Sequence, residues 1–211
     1  MKIMMSFIFS CIRWGGYKII KCIGGIVGTV YMYLNGVEYG KHLDIRGWCH
    51  VYRRRNSRIQ IGDSCRFNSL AYYNHIGLNH KCSLSTLLEG AEISIGSNCG
   101  MSSSTINAFK SIVIGKDVRI GANCVIMDGD FHLDDPRSGQ PSPIVIKDNV
   151  WLGANVVVMK GVTVGKNSII GMNSVVTKNI PDNVVAAGNP CKVIREIDVK
   201  IIEQLCNDKQ S

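Results

Sequence analysis

The 211-residue chain has no Cys-x-x-Cys pair, five prolines, five phenylalanines and no run of about 18 uncharged apolar residues. Each shortage excludes a class. Without a long apolar run there is no clean transmembrane helix. Nine cysteines, an odd number with no tight pair and no secretory cleavage site, argue against a disulfide framework. Only 19% of residues are charged against 45% hydrophobic, which is too apolar for a disordered chain. The 22 glycines do not recur at every third position, which excludes collagen. A cytoplasmic globular protein remains, with one compact domain and appendages at this length.

Charge is unevenly distributed. Residues 1–60 carry ten Lys/Arg against Glu38 and Asp44, a surplus of +8, whereas residues 61–211 balance fourteen basic against fourteen acidic side chains. The excess is therefore a property of the N-terminal part. It lacks the aromatic interleaving of a nucleic-acid module, so no nucleic-acid partner is expected. The same part is apolar: Ile3 to Ile12 reads IMMSFIFSCI and Cys22 to Leu34 reads CIGGIVGTVYMYL. Two readings stay open for residues 1–34. One is a basic, apolar helix lying in an anionic membrane surface, which would place the protein at the inner face of the membrane. The other is a helical pair packed on the protein's own body or on a neighbouring subunit, with Gly15-Gly16 and Gly24-Gly25 interrupting any single helix.

What the sequence does contain is a six-residue period. From Ile114 the chain reads IGKDVR, IGANCV, IMDGDF and, after an interruption, LGANVV, VMKGVT, VGKNSI, IGMNSV, VTKNIP. Isolated units stand earlier: IRGWCH at 45, IGDSCR at 61 and IGSNCG at 95. Each hexapeptide is one flat face and one corner. The branched first residue points inward, the glycine at position 2 permits the turn, and a small residue at position 5 fills the corner. Three faces close one coil of a parallel β-helix. Cys49, Cys65, Cys99 and Cys124 all occupy position 5, so they are expected to pack rather than react.

The period breaks after Ile126. Asp130 falls in a position-5 slot and His132 in a position-1 slot, immediately before a polar, turn-rich stretch over residues 133–143. A carboxylate and an imidazole where core residues belong mark a candidate functional site.

Asn149 to Ile197, NVWLGANVVVMKGVTVGKNSIIGMNSVVTKNIPDNVVAAGNPCKVIREI, and Ile120 to His132, IGANCVIMDGDFH, resemble the hexapeptide-repeat acyltransferases. The likeness spans residues 45–197 and is greatest to the maltose/galactoside O-acetyltransferase branch, with its relatives that act on bacterial surface polysaccharides. It implies an all-β fold, a left-handed parallel β-helix over residues 45–195. Residues 1–44 precede it as an apolar, basic segment, and a short C-terminal helix over 196–211 closes it. The left-handed sense comes from the resemblance, because parallel connections are in general right-handed.

The resemblance also implies an acetyl-CoA-dependent O-acetyltransferase with a carbohydrate acceptor and no metal. His132 matches the general base, a role for which an imidazole titrating near neutrality suits a sugar hydroxyl. Asp130 or Asp128 would orient its ring. The backbone N–H of Ala154 matches the oxyanion donor. Trp151, Met172, Thr177, Lys178, Lys192 and Arg195 match positions that contact coenzyme A, and Trp151 stands near either the acceptor or the pantetheine arm. Ser102 and Ser103, in a Ser102-Ser103-Ser104 run where sugar-acetylating relatives carry Asn, and Asp128, Asp134 and Arg137 are the candidate acceptor contacts. The family forms homotrimers with active sites between subunits. Two alternatives remain: N-acetylation of a nucleotide-linked amino sugar, and a non-catalytic β-helix trimer scaffold.

Overall fold

The computed structural model describes residues 24–198 together with 200, 201 and 204. The apolar Ile3–Ile12 stretch and most of the expected C-terminal helix lie outside the described residues. Residues 24–34 form a helix, α1. Its glycines allow close packing: a Cβ on Gly28 would stand 2.8 Å from Ile45 Cγ2, and Gly25 faces the Ile45 carbonyl. Met32 is fully buried on the same side, so α1 lids the open end of the core. No helix among the described residues is long and apolar enough to cross a membrane.

The rest is a three-sided solenoid. The first sheet stacks β1 (Glu38–Tyr39), β4 (Arg58–Ile61), β7 (Glu92–Ile95), β10 (Ser111–Ile114), β13 (Ile144–Ile146) and β16 (Thr163–Val164). The second stacks β2 (Asp44–Arg46), β5 (Arg66–Asn68), β8 (Gly100–Ser102), β11 (Arg119–Ala122), β14 (Trp151–Leu152), β17 (Ile169–Ile170), β19 (Val184–Ala187) and β20 (Lys192–Glu196). The third stacks β3 (Cys49–Arg53), β6 (Cys82–Thr86), β9 (Thr105–Ala108), β12 (Val125–Met127), β15 (Val157–Val158) and β18 (Val175–Val176). The first coil thus opens at Glu38, ahead of the first recognisable hexapeptide.

Besides a column of Ile61, Ile95, Ile114, Ile146 and Val164 on the first sheet, each sheet contributes one main inward column. In register these are Ile59, Ile93, Ile112 and Ile144; Ile45, Phe67, Met101, Ile120, Leu152 and Ile170; and Val51, Leu84, Ile106, Ile126, Val158 and Val176. The core is one apolar rod along the axis. The four position-5 cysteines are buried free thiols, as the repeat implies, and Cys82 and Cys191 join them. Burial pushes the Cys124 thiol up to about 11 and raises Cys49 as well, so neither is a ready nucleophile.

The corners differ from the expected mechanism. The position-2 glycines do not carry the turn. Their role is contact between coils: a Cβ on Gly96 would stand 2.5 Å from the Gly115 carbonyl oxygen, and one on Gly121 would stand 2.6 Å from the Gly153 carbonyl carbon. The left-handed backbone belongs to position 4, where Asn98, Asp117, Asn123, Asn149, Asn155, Asn167, Asn173 and Asn183 all have φ between 57° and 60°. Asn and Asp tolerate this region better than other side-chain-bearing residues. Stacked corners then link their amides. Asn149 Nδ2 donates to Asn167 Oδ1 at 3.0 Å, and Asn167 Nδ2 donates to Asn183 Oδ1 at 2.7 Å.

At the far end β20 turns back antiparallel on β19, so Glu196 ends a strand, and among the described residues beyond it 200, 201 and 204 are helical. A solenoid otherwise ends on unpaired strand edges, and this hairpin covers one of them.

The Asn ladder gives a first prediction. Asn167→Ala removes two side-chain hydrogen bonds and leaves a Cβ residue in the left-handed region, so it should cost about 2 kcal/mol in denaturant unfolding. Asn167→Gly, free of the backbone strain, should recover about half of that loss.

Candidate active site

A coil can leave the prism only at a corner, and among the described residues it does so twice. The excursion the repeat announces leaves the edge between the third and first sheets, running from Asp128 to residue 143. Its root is rigid. Asp128 is fully buried and accepts the backbone N–H groups of Phe109 (2.5 Å), Lys110 (2.9 Å) and Ser111 (2.6 Å). Its own carbonyl accepts the Ser142 N–H at 2.8 Å, which joins the two ends of the excursion. Asp128 is therefore neither an acceptor contact nor the group that orients His132. The carboxylate is fully committed to satisfying the backbone of the coil beneath.

Asp130 is also engaged elsewhere. Its Oδ2 accepts from Lys160 Nζ at 2.6 Å, and the same ammonium donates to the Ser138 carbonyl. Lys160, on the next coil, thus staples the excursion at two points, and Asp130 is its anchor rather than the partner of His132. Phe131 meets the Phe109 ring edge-on at a centroid distance of 5.4 Å. Gly129 makes this possible, since a Cβ there would stand 2.7 Å from Phe109 Cγ. Arg137 folds back on Asp135, its Nη2 at 2.6 Å from Oδ2, and holds that carboxyl below the usual carboxylate range. Asp134 is exposed on the outer turn. Out of this frame projects His132, exposed, its carbonyl accepting from Asp135 N–H at 3.1 Å, with no hydrogen bond to its ring among the described residues.

The second excursion, over residues 69–81, is not announced by the hexapeptide units. It leaves the edge between the second and third sheets and contains a 3-10 turn at Ala71–Tyr73. The signal for it was the failure of the period between Asn68 and Cys82. It crosses two coils: His80 N–H donates to Ser103 Oγ at 3.0 Å, and Asn79 N–H donates to Asn123 Oδ1 at 3.0 Å. Ser103 is fully buried beneath it, and its hydroxyl returns a bond to the His80 carbonyl. Ser103 is thus a clasp for this loop and not an acceptor contact. Ser104 is also buried, taking the Cys124 N–H at 3.0 Å, whereas Ser102 remains half-exposed on the outer face of the second sheet.

On that same edge, one coil beyond Asn123, lies Ala154. It is buried, its carbonyl accepts the Asn173 N–H at 2.9 Å, and its own amide donates to nothing within the described chain. Met172 follows on the next corner, 58% exposed. Trp151 and Arg195 come together on the second sheet, walling a cavity of about 230 Å³ with Arg119, Ile169 and Ile197. Lys192 is exposed on β20. Thr177 and Lys178 are exposed on the other edge, the one His132 occupies, one coil beyond Lys160. Within one chain, then, the imidazole and the free Ala154 amide stand on different edges of the prism. No group of three or more His, Cys, Asp or Glu side chains placed to hold a metal occurs among the described residues.

Two family models match: the bacterial transferase hexapeptide (six repeats) over residues 143–178, and the hexapeptide repeat of succinyl-transferase over residues 111–129. The galactoside O-acetyltransferase of Escherichia coli (strain K12) is 44% identical over 114 residues, 52% of this chain and 56% of the relative. A Staphylococcus aureus (strain MRSA252) relative, an acetyltransferase by name only, is 38% identical over 123 residues, 47% of this chain and 62% of its own. The chain therefore spans about three-fifths of the length of such relatives. Among solved structures, AntD, an N-acyltransferase from Bacillus cereus in complex with dTDP and 3-hydroxybutyryl-CoA, superimposes with a TM-score of 0.66 at 18% identity, covering 87% of this chain and 97% of that one. At that identity the likeness concerns the fold, which it gives as a left-handed parallel β-helix. The repeat models over the central coils, the sequence relatives across the same coils and the shared solenoid make the chain similar to the hexapeptide-repeat acyltransferases.

Proposed function

We propose that the protein transfers an acetyl group from acetyl-CoA to a sugar hydroxyl, with His132 as general base. The observation that carries this reading is the pairing of two unengaged groups. A ring with free nitrogens is held on a stapled excursion, and an amide with no internal acceptor sits on a buried corner. His132 would take the hydroxyl proton as the oxygen attacks the thioester carbonyl. The Ala154 N–H would stabilise the resulting oxyanion. Collapse expels the thiolate, which recovers the proton from the imidazolium, so protons and charge balance. Because the two groups occupy different edges of one prism, a complete centre needs the His132 edge of one copy beside the Ala154 edge of another. A closed ring of three copies satisfies this for every edge pair.

Coenzyme A would be shared between the second sheet of the copy that offers Ala154 and the His132 edge of its neighbour. Trp151, Ile169 and Ile197 offer apolar walls for the pantetheine arm, and Arg195, Lys192 and Lys178 offer cations for its phosphates. Met172 and Thr177 would border the same path. The 44% identity to a galactoside O-acetyltransferase supports a hydroxyl acceptor. AntD, matched over 97% of its length, supports the second reading, transfer to the amine of a nucleotide-linked amino sugar. Hydroxylamine separates them, since it cleaves an ester product and leaves an amide intact.

The place of action is also part of this reading: the cytoplasmic side, at the membrane's inner face. The side of α1 away from Ile45 exposes Ile26, Val30, Tyr33 and Leu34. Beside its end Arg53 Nε donates to the Asn35 carbonyl at 2.9 Å, and Arg54 and Arg55 are exposed. Apolar and cationic groups together suit an anionic lipid surface.

Three outcomes are expected. His132→Ala should lower kcat for acetyl transfer by about 10²–10⁴-fold with little change in acetyl-CoA affinity, measured by thiol release and calorimetry. Lys160→Met should lower kcat about tenfold or more while sparing acetyl-CoA binding, because a loosened excursion misplaces the base by fractions of an ångström. Replacing Val30 and Leu34 by Glu should abolish co-sedimentation with phosphatidylserine vesicles, and unchanged sedimentation would remove the membrane assignment.

A further inference from the structure

The outer face of the second sheet carries a row of residues in register: Asp44, Arg66, Gly100, Arg119 and Trp151. Gly100 interrupts it. A Cβ added there would meet nothing closer than the Arg66 carbonyl at 3.8 Å, so the glycine leaves a notch open to solvent with a guanidinium on either side. The notch belongs to a hollow of about 420 Å³ that also takes in Arg46, Tyr73 and Ser102.

The cations are held in place. Arg46 has its guanidinium carbon 4.6 Å over the Tyr73 ring and its Nη2 at 3.0 Å from Asp44 Oδ2. Its side chain is only 18% exposed. Arg66 Nε binds the same Asp44 oxygen at 3.0 Å, which leaves the far side of its guanidinium facing outward. Two guanidinium groups, those of Arg46 and Arg66, thus share one carboxylate, and Arg119 stands across the notch. Asp117, on the adjoining corner, accepts from Asn98 Nδ2 at 2.5 Å. None of the contacts assigned to the transfer reaction uses Arg46, Arg66 or Gly100.

The chemistry of the set selects its ligand. Planar guanidinium groups converging on a gap grip phosphoryl oxygens bidentately. The Arg66 and Arg119 rows are two strand spacings apart, about 10 Å, which a diphosphate bridges and a lone carboxylate does not. We infer that this notch is a phosphoryl-binding subsite for the acceptor, with Arg66 and Arg119 as its jaws and Arg46 as its floor. The assignment to the acceptor rests on the reading that places the reacting centre at Ala154. From Gly100 the Ala154 corner lies two coils along the axis and three residues along the strand, about 14 Å, the reach of a hexose joined to a diphosphate. The hollow also opens beside Tyr73 of the 69–81 excursion, on the edge that Ala154 occupies. The preferred acceptor is then a sugar carrying a phosphate or diphosphate rather than a neutral saccharide.

The test is calorimetric titration of the full chain with inorganic pyrophosphate. Wild type and Gly100→Ala should bind it. Gly100→Glu, which places a carboxylate in open space, and Arg66→Gln should each bind it at least tenfold more weakly, with acetyl-CoA affinity unchanged. Circular dichroism checks the fold of each variant, and Arg66→Gln carries the result if Gly100→Glu fails to fold. Three outcomes would overturn the proposal: no binding by wild type, equal binding by the variants, or one-for-one displacement of pyrophosphate by coenzyme A, which would give the phosphate to that substrate instead. Because pyrophosphate binding is read without turnover, full activity in His132→Ala would sink the base assignment and leave this result standing.

Discussion

The structure depends on backbone touching backbone. Each coil lies so close to the next that Gly96 and Gly121 have no room for a Cβ, and the parallel ladder hydrogen bonds run between coils rather than within them. The corner must then be made in a backbone region that most residues avoid, and asparagine at position 4 supplies it. The inward columns of Ile, Val and Leu follow from this geometry. Three short faces leave an interior one side chain deep, so shape matters at every position.

The same constraint decides where chemistry can be placed. A prism with continuous ladders on all three faces cannot be opened on a face without breaking parallel pairing above and below, whereas a corner can be lengthened freely. Both excursions emerge at corners, and both are secured by side chains of neighbouring coils: Lys160 and Asp128 for one, Ser103 and Asn123 for the other. His132 is carried on the excursion that Lys160 and Asp128 secure.

Much of this was legible in the residues. The hexapeptide period identified the solenoid, the inward columns and the buried role of Cys49, Cys65, Cys99 and Cys124, because those features are local and repeat. Ser103, Asp128 and Asp130 were misread, since each one's partner is 17 to 30 residues away on another coil. Periodicity reports which face a residue occupies, not which neighbour claims its oxygen. The glycine rule was misjudged for a related reason. A sequence shows that a small residue is required but not whether the requirement is torsional or steric, and here it is steric. The 69–81 excursion was hidden because absence of a repeat resembles poor spelling of one.

The buried carboxylate of Asp128 has a consequence for variation. By satisfying three amides of the coil below and drawing Ser142 to its own carbonyl, it completes the prism at that corner whatever lies between. The excursion is thereby insulated from the folding problem. On the proposed reading, substitutions and insertions between Phe131 and Pro141 would change what is presented to an acceptor while the solenoid keeps its stability, so substrate choice could drift without a matching search for a new fold. A module built this way separates inheritance of architecture from inheritance of specificity.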